Sequence, residues 1–289
     1  MVEHCNRPEP CDAGQSNLRG GAFLPDKVYK AIASGRTDCA ACLNCWTDGD
    51  ERIGDAGGLS VRMAKTHQPE ILKIAHFAAL KDKQRAIRDS FPEGLGLRVH
   101  RALSWLGRAE AETNDPDIRF ILLWIGFNAA YAADIERDTE SERGVFQTFF
   151  EAVVGLDSDD RVYRAVWQRF PQEIRLLLAN RHIFLAFWKH ENGVPGYEDW
   201  ADRMSTSQRA INGAIARKDT AKILSVLFDR LYVLRNQLIH GGATWNSSVN
   251  RSQVKDGAAL LGVLLPVFID ILMDNPGHDW GRPYYPVVD

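Results

Sequence analysis

An arginine and a histidine with the chemistry to act on a phosphate stand close together in the chain. Arg235, Asn236 and His240 end a helical run that is followed by Gly241 and Gly242. Arginine is a fixed, forked cation that suits a phosphate, and histidine titrates near neutral pH and so can transfer protons. Arg235, Asn236 and His240 are therefore the candidate catalytic residues of this chain.

The position of Arg235 on its helix is unusual for a cation. Apolar residues recur at three-and-four spacing from Thr220 to Ile239, which predicts a helix with one buried face. At about 100° per residue, Arg235 projects from the middle of that face, where a guanidinium needs an anion or several acceptors. His240 points about 140° away. Either the helix unwinds near Ile239 and His240, or a second copy of the chain completes the site across a two-fold axis; we favour the two-fold.

The sequence resembles a known family at these residues. Arg235-Asn236, three further residues and His240 are similar to the Arg-polar-x-x-x-His signature of HEPN domains. The stretches Leu234 to Trp245 (LRNQLIHGGATW) and Leu123 to Ala132 (LWIGFNAAYA) resemble the Apea-like branch of bacterial HEPN proteins. The resemblance covers roughly residues 93 to 275.

This resemblance implies an antiparallel helical bundle that dimerises, so that Arg and His residues of two protomers line one cleft. It also implies a metal-independent endoribonuclease without a cofactor, which leaves a 2′,3′-cyclic phosphate on the RNA. In that reaction His240 would act as acid or base, Arg235 would stabilise the charge on the phosphorane, and Asn236 would orient the histidine or a phosphate oxygen. The implied setting is a toxin–antitoxin pair or anti-phage defence. The expected partners are therefore RNA, a second copy of the chain, and an antitoxin or defence partner.

Two other interpretations of the motif stand beside the nuclease. The chain could be a non-catalytic HEPN module that binds a nucleotide, RNA or a protein. Alternatively, Arg235 could pair with a buried acid such as Asp117 or Asp229, and His240 could cap the end of its helix.

Four further residues are candidates for substrate binding. Trp245 and Asn246 lie in the polar loop after the motif helix, and Arg251 follows shortly. Asn128 lies inside a segment, Asp117 to Ile135, that is apolar nearly all round and is therefore predicted to be the core helix. Its side chain is either a satisfied core amide or a group that orients the site.

Composition limits the function classes. The 289 residues are 45% hydrophobic with a net charge of −3, and the pI is about 6.3. A broad basic surface for duplex nucleic acid is thereby excluded, so RNA contacts must be local. No signal peptide is visible, and the longest apolar stretch, Ala258 to Ile269, is too short for a membrane span. We expect a soluble, cytoplasmic protein without a membrane partner.

Composition and helical periodicity divide the chain into four segments. Residues 1–62 predict a loosely structured, cysteine-containing extension, residues 63–92 an accessory helix and linker, residues 93–275 the HEPN-like helical domain and residues 276–289 an irregular tail. Cys39, Cys42 and Cys45 could bind zinc or an iron–sulfur cluster with a fourth ligand nearby, although no metal is the favoured interpretation. Another possibility is that the biological start is Met63.

The predicted fold is all-α, with at least five helices and further helices inserted between the core elements. Asp115-Pro116 predicts the start of one helix, and a single helix is predicted from Pro171 to Lys189. Pro266 is expected to kink or break the last helix. Five arginines between residues 161 and 181 interleave with aromatic residues, a pattern that indicates a solvated helix face more than an RNA clamp. His182 and His190 are interpreted as structural or surface residues.

Overall fold

The structure, a computed structural model, describes residues 74–132, 142–283 and 285–287. Over these residues the fold is all-α, which confirms the predicted fold class. A π-helical turn, Ala165–Arg169, follows α5, and 3₁₀ turns lie at Arg88–Ser90 and Arg181–Ile183. The helices in the described part are α1 (Phe77–Ile87), α2 (Glu93–Ala111), α3 (Pro116–Tyr131), α4 (Glu142–Leu156), α5 (Arg161–Arg164), α6 (Pro171–Ala179), α7 (Leu185–Glu191), α8 (Trp200–Arg217), α9 (Thr220–Ile239) and α10 (Arg251–Asp274).

Stacked and tilted phenylalanine rings fill the centre of the core. The ring of Phe228 on α9 lies 4.4 Å from that of Phe127 on α3 and 4.7 Å from that of Phe150 on α4. Phe268 on α10 lies 5.7 Å from Phe150. All four side chains are 0% exposed, so four helices bury their apolar faces at one point.

The contacts between α3 and α9 show that these helices run in opposite directions. Phe228 meets Phe127, whereas Tyr232, one turn further along α9, meets Trp124, one turn earlier in α3, at 6.3 Å between ring centroids. The C-terminal end of α9 therefore lies beside the N-terminal end of α3. This arrangement brings the motif and the start of the core helix together.

Helix α9 begins and ends where its sequence predicts. The Asp219 side chain accepts a hydrogen bond from the Lys222 N–H (3.1 Å) and caps the first turn. After Ile239 the chain turns at Gly241, whose φ is +71° and which therefore has a conformation that favours glycine. The Ala243 N–H then donates to the Gln237 carbonyl at 3.2 Å, which satisfies one of the last carbonyls of the helix.

The predicted helix from Pro171 to Lys189 is wrong, because α6 ends at Ala179 and α7 begins at Leu185. The Asn180 side chain accepts a hydrogen bond from the His182 N–H at 2.8 Å, an alternative that competes with helical bonding. The 3₁₀ turn Arg181–Ile183 occupies the break.

Helix α10 continues through Pro266 from Arg251 to Asp274, so of the two expected effects of the proline, a kink or a break, the break is wrong. This helix is long and apolar enough to cross a membrane, and no other helix of the described residues is. However, 78% of its most apolar segment is buried inside the protein. A core helix has the same composition, so this observation is weak evidence for a membrane span.

The N-terminal predictions for residues 1–62, the cysteine site at Cys39, Cys42 and Cys45 and most of the segment 63–92 lie outside the described residues. Within the described part, α1 packs against α2 and α10.

A fully buried arginine fastens the C-terminal tail to the helices. Arg98, 1% exposed, donates to the carbonyls of Ala130 (3.2 Å) and Ala132 (2.7 Å) at the end of α3. It also donates to the carbonyls of Gly281 (3.2 Å) and Arg282 (2.9 Å) in the tail. Burial lowers the pKa of Arg98 to about 10. The described part of the tail is thus held by its main-chain oxygens, and the Trp280 ring also packs against Phe149 of α4 at 6.3 Å between ring centroids.

A network of charges joins α1, α5 and α10. Arg161 donates to Asp157 (3.0 Å) and Asp274 (2.8 Å) and also pairs with Asp270. Lys83 pairs with both Asp270 and Asp274. Burial acts to raise the pKa of Asp274, but hydrogen bonds and charges from Lys83 and Arg161 outweigh burial and hold the pKa below its usual value.

We predict that Asp274→Asn lowers the free energy of unfolding at pH 7 by about 1 kcal/mol, because this carboxylate is partly solvated. The folded-state pKa of Asp274 is depressed, so its contribution is complete above the unfolded value of about 3.9 and is lost as pH falls through the folded value. Urea unfolding at a series of pH values should show the two proteins converging in acid. Equal stabilities at pH 7 would contradict the prediction.

Candidate functional site

Arg235 lies where the core-facing side of α9 leaves the core. Seven residues are close to two helical turns, so Arg235 projects from nearly the same side as the buried Phe228. The preceding residue, Leu234, is 0% exposed, whereas Arg235 is half-buried. The position inferred from the sequence is therefore real, and the cation avoids full burial because the helix ends one turn later.

The guanidinium of Arg235 has few internal partners. Its Nη1 donates to Asn236 Oδ1 at 2.8 Å, and its Cζ lies 5.7 Å from the centre of the Tyr232 ring. The buried Nε has no hydrogen-bond partner, and no carboxylate of the described residues forms an ion pair with Arg235. Asp117, one of the two acids considered as a partner, pairs with Arg251 instead. The guanidinium of Arg235 therefore has N–H donors that no internal acceptor uses and that an external anion could accept from.

His240 is the exposed C-cap of α9. Its backbone angles are φ −91° and ψ 12°, and its N–H donates to the Asn236 carbonyl at 3.0 Å. The helix is therefore regular through Ile239 and does not unwind before His240. Arg235 and His240 diverge by about 140° around the axis, as the sequence indicates. Within one chain, they reach different sides of the helix end.

The loop after α9 docks on the N-terminal end of α3. The Trp245 indole N–H donates to Asp115 Oδ2 (2.6 Å), and the Asn246 N–H donates to Asp117 Oδ2 (3.0 Å). Arg251 Nη2 lies 2.7 Å from both carboxylate oxygens of Asp117. Asp115 also accepts from the first N–H groups of α3; burial acts to raise its pKa, and these hydrogen bonds lower it overall. Two acids at one helix start thus fix the loop.

These contacts separate the roles of the three predicted loop residues. Trp245 is 72% exposed although its N–H is tethered, so its ring remains accessible for stacking on a base. Asn246 has a φ of +55° and contributes its backbone N–H to the loop anchor. Arg251 is neutralised by Asp117 and links α10 to α3, which gives it a structural role. Substrate contact by Asn246 and Arg251 stays a prediction.

Asn128 is not brought to the motif. The antiparallel contacts pair Phe127 with Phe228, so Asn128 lies level with the middle of α9. Arg235 is then about 12 Å further along the axis, at about 1.5 Å per residue. The two residues share the α3–α9 contact but lie at different heights on it, because α3 runs away from the motif.

Gln237 links the motif helix to its surroundings and was not identified from the sequence. Its Nε2 donates to the His182 carbonyl at 2.6 Å, and its Oε1 accepts from Asn250 Nδ2 at 2.9 Å. No local pattern marks this residue, because both partners are distant in the chain or lie across a loop.

A large cavity of about 850 Å³ lies elsewhere, between α7, α8 and α9. Arg230 lines it, 2% exposed, with its Cζ 4.3 Å above the Phe184 ring and a hydrogen bond to Ser207 Oγ at 3.2 Å. None of Arg235, Asn236 and His240 lines this cavity. We place the candidate site at the motif, because the cavity holds none of the motif residues.

Metal and family comparisons add no assignment. Within the described ranges, no group of three or more His, Cys, Asp or Glu side chains is arranged to hold a metal ion. Comparison of the chain with protein-family models, curated proteins and solved structures found no match.

We predict that Asp117→Asn destabilises the protein by about 2–3 kcal/mol, because it leaves the mostly buried Arg251 without its counter-ion. Urea unfolding measures the change, and Arg251→Met in the Asp117→Asn background should recover part of the loss. The matched control is Asp82→Asn, which removes the exposed pair with Arg85 and should cost less than about 0.5 kcal/mol. Equal effects of Asp117→Asn and Asp82→Asn would contradict a structural role for the Asp117–Arg251 pair.

Proposed function

We propose that this chain is a HEPN-like, metal-independent endoribonuclease that works as a homodimer, of the kind found in toxin–antitoxin systems or anti-phage defence. The observation that carries the proposal is the state of Arg235. It is a half-buried guanidinium without a carboxylate partner among the described residues, it is bonded to Asn236, and it lies one turn before the exposed His240. A fixed cation in that state suits a phosphate.

The proposed reaction needs no atom beyond the RNA and these side chains. The ribose 2′-oxygen attacks the adjacent phosphorus, and the bond from phosphorus to the 5′-oxygen breaks. One proton leaves the 2′-hydroxyl and one is added to the 5′-oxygen, so the products are a 2′,3′-cyclic phosphate and a 5′-hydroxyl. His240 performs one of the two proton transfers, and Arg235 stabilises the phosphorane.

Two features support a homodimer: the reaction needs a second proton-transfer group besides His240, and the side chains of Arg235 and His240 diverge within one chain. On one regular helix, Arg235 and His240 point about 140° apart. A second copy related by a two-fold axis supplies another Arg235 and another His240 to the same cleft. Ile239, between the motif residues and 50% exposed, is an apolar side chain that such a contact covers.

Recognition of single-stranded RNA is supported by the accessible ring of Trp245. A base freed from its helix stacks on aromatic surfaces, and the overall charge of −3 limits electrostatic binding to the neighbourhood of the site.

We predict that the purified chain cleaves single-stranded RNA or transfer RNA in the presence of EDTA, and that the 3′ ends carry cyclic phosphate. His240→Ala and Arg235→Ala should each lower the rate by about 100-fold or more, since each removes a group required in the transition state. Gel analysis of labelled RNA measures the rate. Arg209→Ala and His190→Ala, which alter exposed residues of the same types away from the motif, are the matched controls and should retain the full rate.

Circular dichroism must show that all four variants are folded. Wild-type protein that is inert toward both RNA classes, or variants at Arg235 and His240 that cleave at the wild-type rate, would overturn the proposed function. Binding of RNA without cleavage would favour the non-catalytic module instead.

We predict that Ile239→Asp converts a dimer into a monomer and lowers the cleavage rate, because a carboxylate would be buried unpaired in the contact. Sedimentation velocity measures the mass. Val194→Asp, at a 40% exposed position between α7 and α8, should leave mass and rate unchanged. A wild-type chain that is monomeric and fully active at the assay concentration contradicts the shared cleft.

A further inference from the structure

One hydrogen bond joins the 3₁₀ turn Arg181–Ile183 to the motif helix, and two local bonds fix the turn itself. These three hydrogen bonds are called the clamp. The His182 carbonyl accepts from Gln237 Nε2 and from Trp188 Nε1, both at 2.6 Å. The His182 N–H donates to Asn180 Oδ1 at 2.8 Å. Both main-chain polar groups of His182 are therefore satisfied, and the turn has one defined position on α9.

The clamp leaves two basic side chains on the surface. Arg181 and His182 are both exposed, and in the described part of the chain neither lies within 4.0 Å of a carboxylate. The Phe187 ring supports both, at 5.6 Å from Arg181 Cζ and 5.4 Å from the imidazole centre. Burial lowers the pKa of His182, and the charge of Arg181 lowers it further. This turn, called the patch below, thus carries one cation, Arg181, that no acid of the described residues neutralises, beside an imidazole whose lowered pKa favours its neutral form.

The patch flanks the His240 side of the candidate site. Gln237 and His240 are three residues apart at the end of α9, which makes their side chains neighbours with about 5–6 Å between Cβ atoms. Gln237 and Arg235 lie on nearly opposite sides of the helix. The turn that Gln237 holds therefore lies next to His240, on the side of the helix end opposite to Arg235.

A cleaved RNA strand needs such an extension. Its phosphates continue on both sides of the one that reacts, and an exposed arginine is the side chain that suits a phosphate oxygen. Among the five arginines between residues 161 and 181, Arg161 forms ion pairs with internal carboxylates and Arg164 donates to the Asp159 carbonyl. Arg181 is the one whose turn is bonded to the motif helix.

Resting on the proposed ribonuclease function, we propose that the Arg181–Ile183 turn is a second part of the RNA site. Arg181 binds a backbone phosphate next to the one that is cleaved, and His182 lies beside it on the same strand path. Gln237 is a positioning residue, which acts on RNA only by holding the turn.

The test measures binding separately from cleavage. The probe is a fluorescent oligouridylate with 2′-O-methyl groups, which lacks the attacking hydroxyl and is not cleaved. Fluorescence anisotropy over a salt series gives the slope of log affinity against log salt, which loses about 0.7 for each phosphate contact removed from a single strand. We expect Arg181→Ala to lower the slope by about 0.7, Arg181→Lys to keep it, and the matched control Arg175→Ala, at an exposed site on α6, to leave it unchanged.

Gln237→Glu tests the positioning step, because a carboxylate cannot donate to the His182 carbonyl. We expect this variant to weaken binding, and Arg181→Ala to have little further effect in the Gln237→Glu background, since the two changes act on one contact. Additive effects would contradict the positioning role of Gln237. Circular dichroism checks that the variants fold.

The outcomes separate this inference from the nuclease proposal. Cleavage of natural RNA by the wild type, combined with an unchanged salt slope in Arg181→Ala, overturns the turn as part of the site and leaves the nuclease standing. Loss of slope in Arg181→Ala without any cleavage supports the turn and overturns the nuclease. A wild-type chain that does not bind the probe overturns the inference as well.

Discussion

The packing of Phe228 between Phe127 and Phe150 is the contact on which the arrangement of the candidate site depends. A helix whose central ring is enclosed by rings from two other helices cannot rotate about its axis without opening the core. The rotation of α9 therefore fixes the direction of every side chain in its last turns. Arg235 is held on the core-facing side of the helix, and Gln237 and His240 are held on the side that faces away from Arg235.

Buried cations elsewhere in the molecule show what is different about Arg235. Arg98 is surrounded by four main-chain carbonyls, Arg161 by three carboxylates, and Arg251 by one carboxylate that it contacts through both oxygens. Each has enough internal acceptors to offset much of the cost of burial. Arg235 has one amide oxygen and one aromatic ring, and its burial is only partial. The fold thus provides its structural arginines with several acceptors, and it leaves Arg235, like the half-buried Arg119, without an ion pair among the described residues.

Two anchors fix the surroundings of the motif from opposite directions in the chain. The acids at the start of α3 hold the loop that follows α9, and Gln237 holds the turn between α6 and α7. The first anchor depends on the antiparallel contact of α3 and α9, which places the end of one helix beside the start of the other. The exposed ring of Trp245 and the basic Arg181–Ile183 turn are consequently parts of the surface around one helix end.

The sequence by itself determined the all-α class, the limits of α9 and the cap of α3, because periodicity and caps such as Asp219 and Asp115 are local features. It also determined that Arg235 lies on an apolar face and diverges from His240. Only the tertiary structure decided that Arg251 pairs with Asp117, that Asn128 lies far along the helix from the motif, and that a turn interrupts the predicted helix after Ala179. The reason is physical: an arginine bound to an internal acid and an arginine open to a ligand have the same local pattern. Which acid is within reach depends on how helices distant in sequence pack.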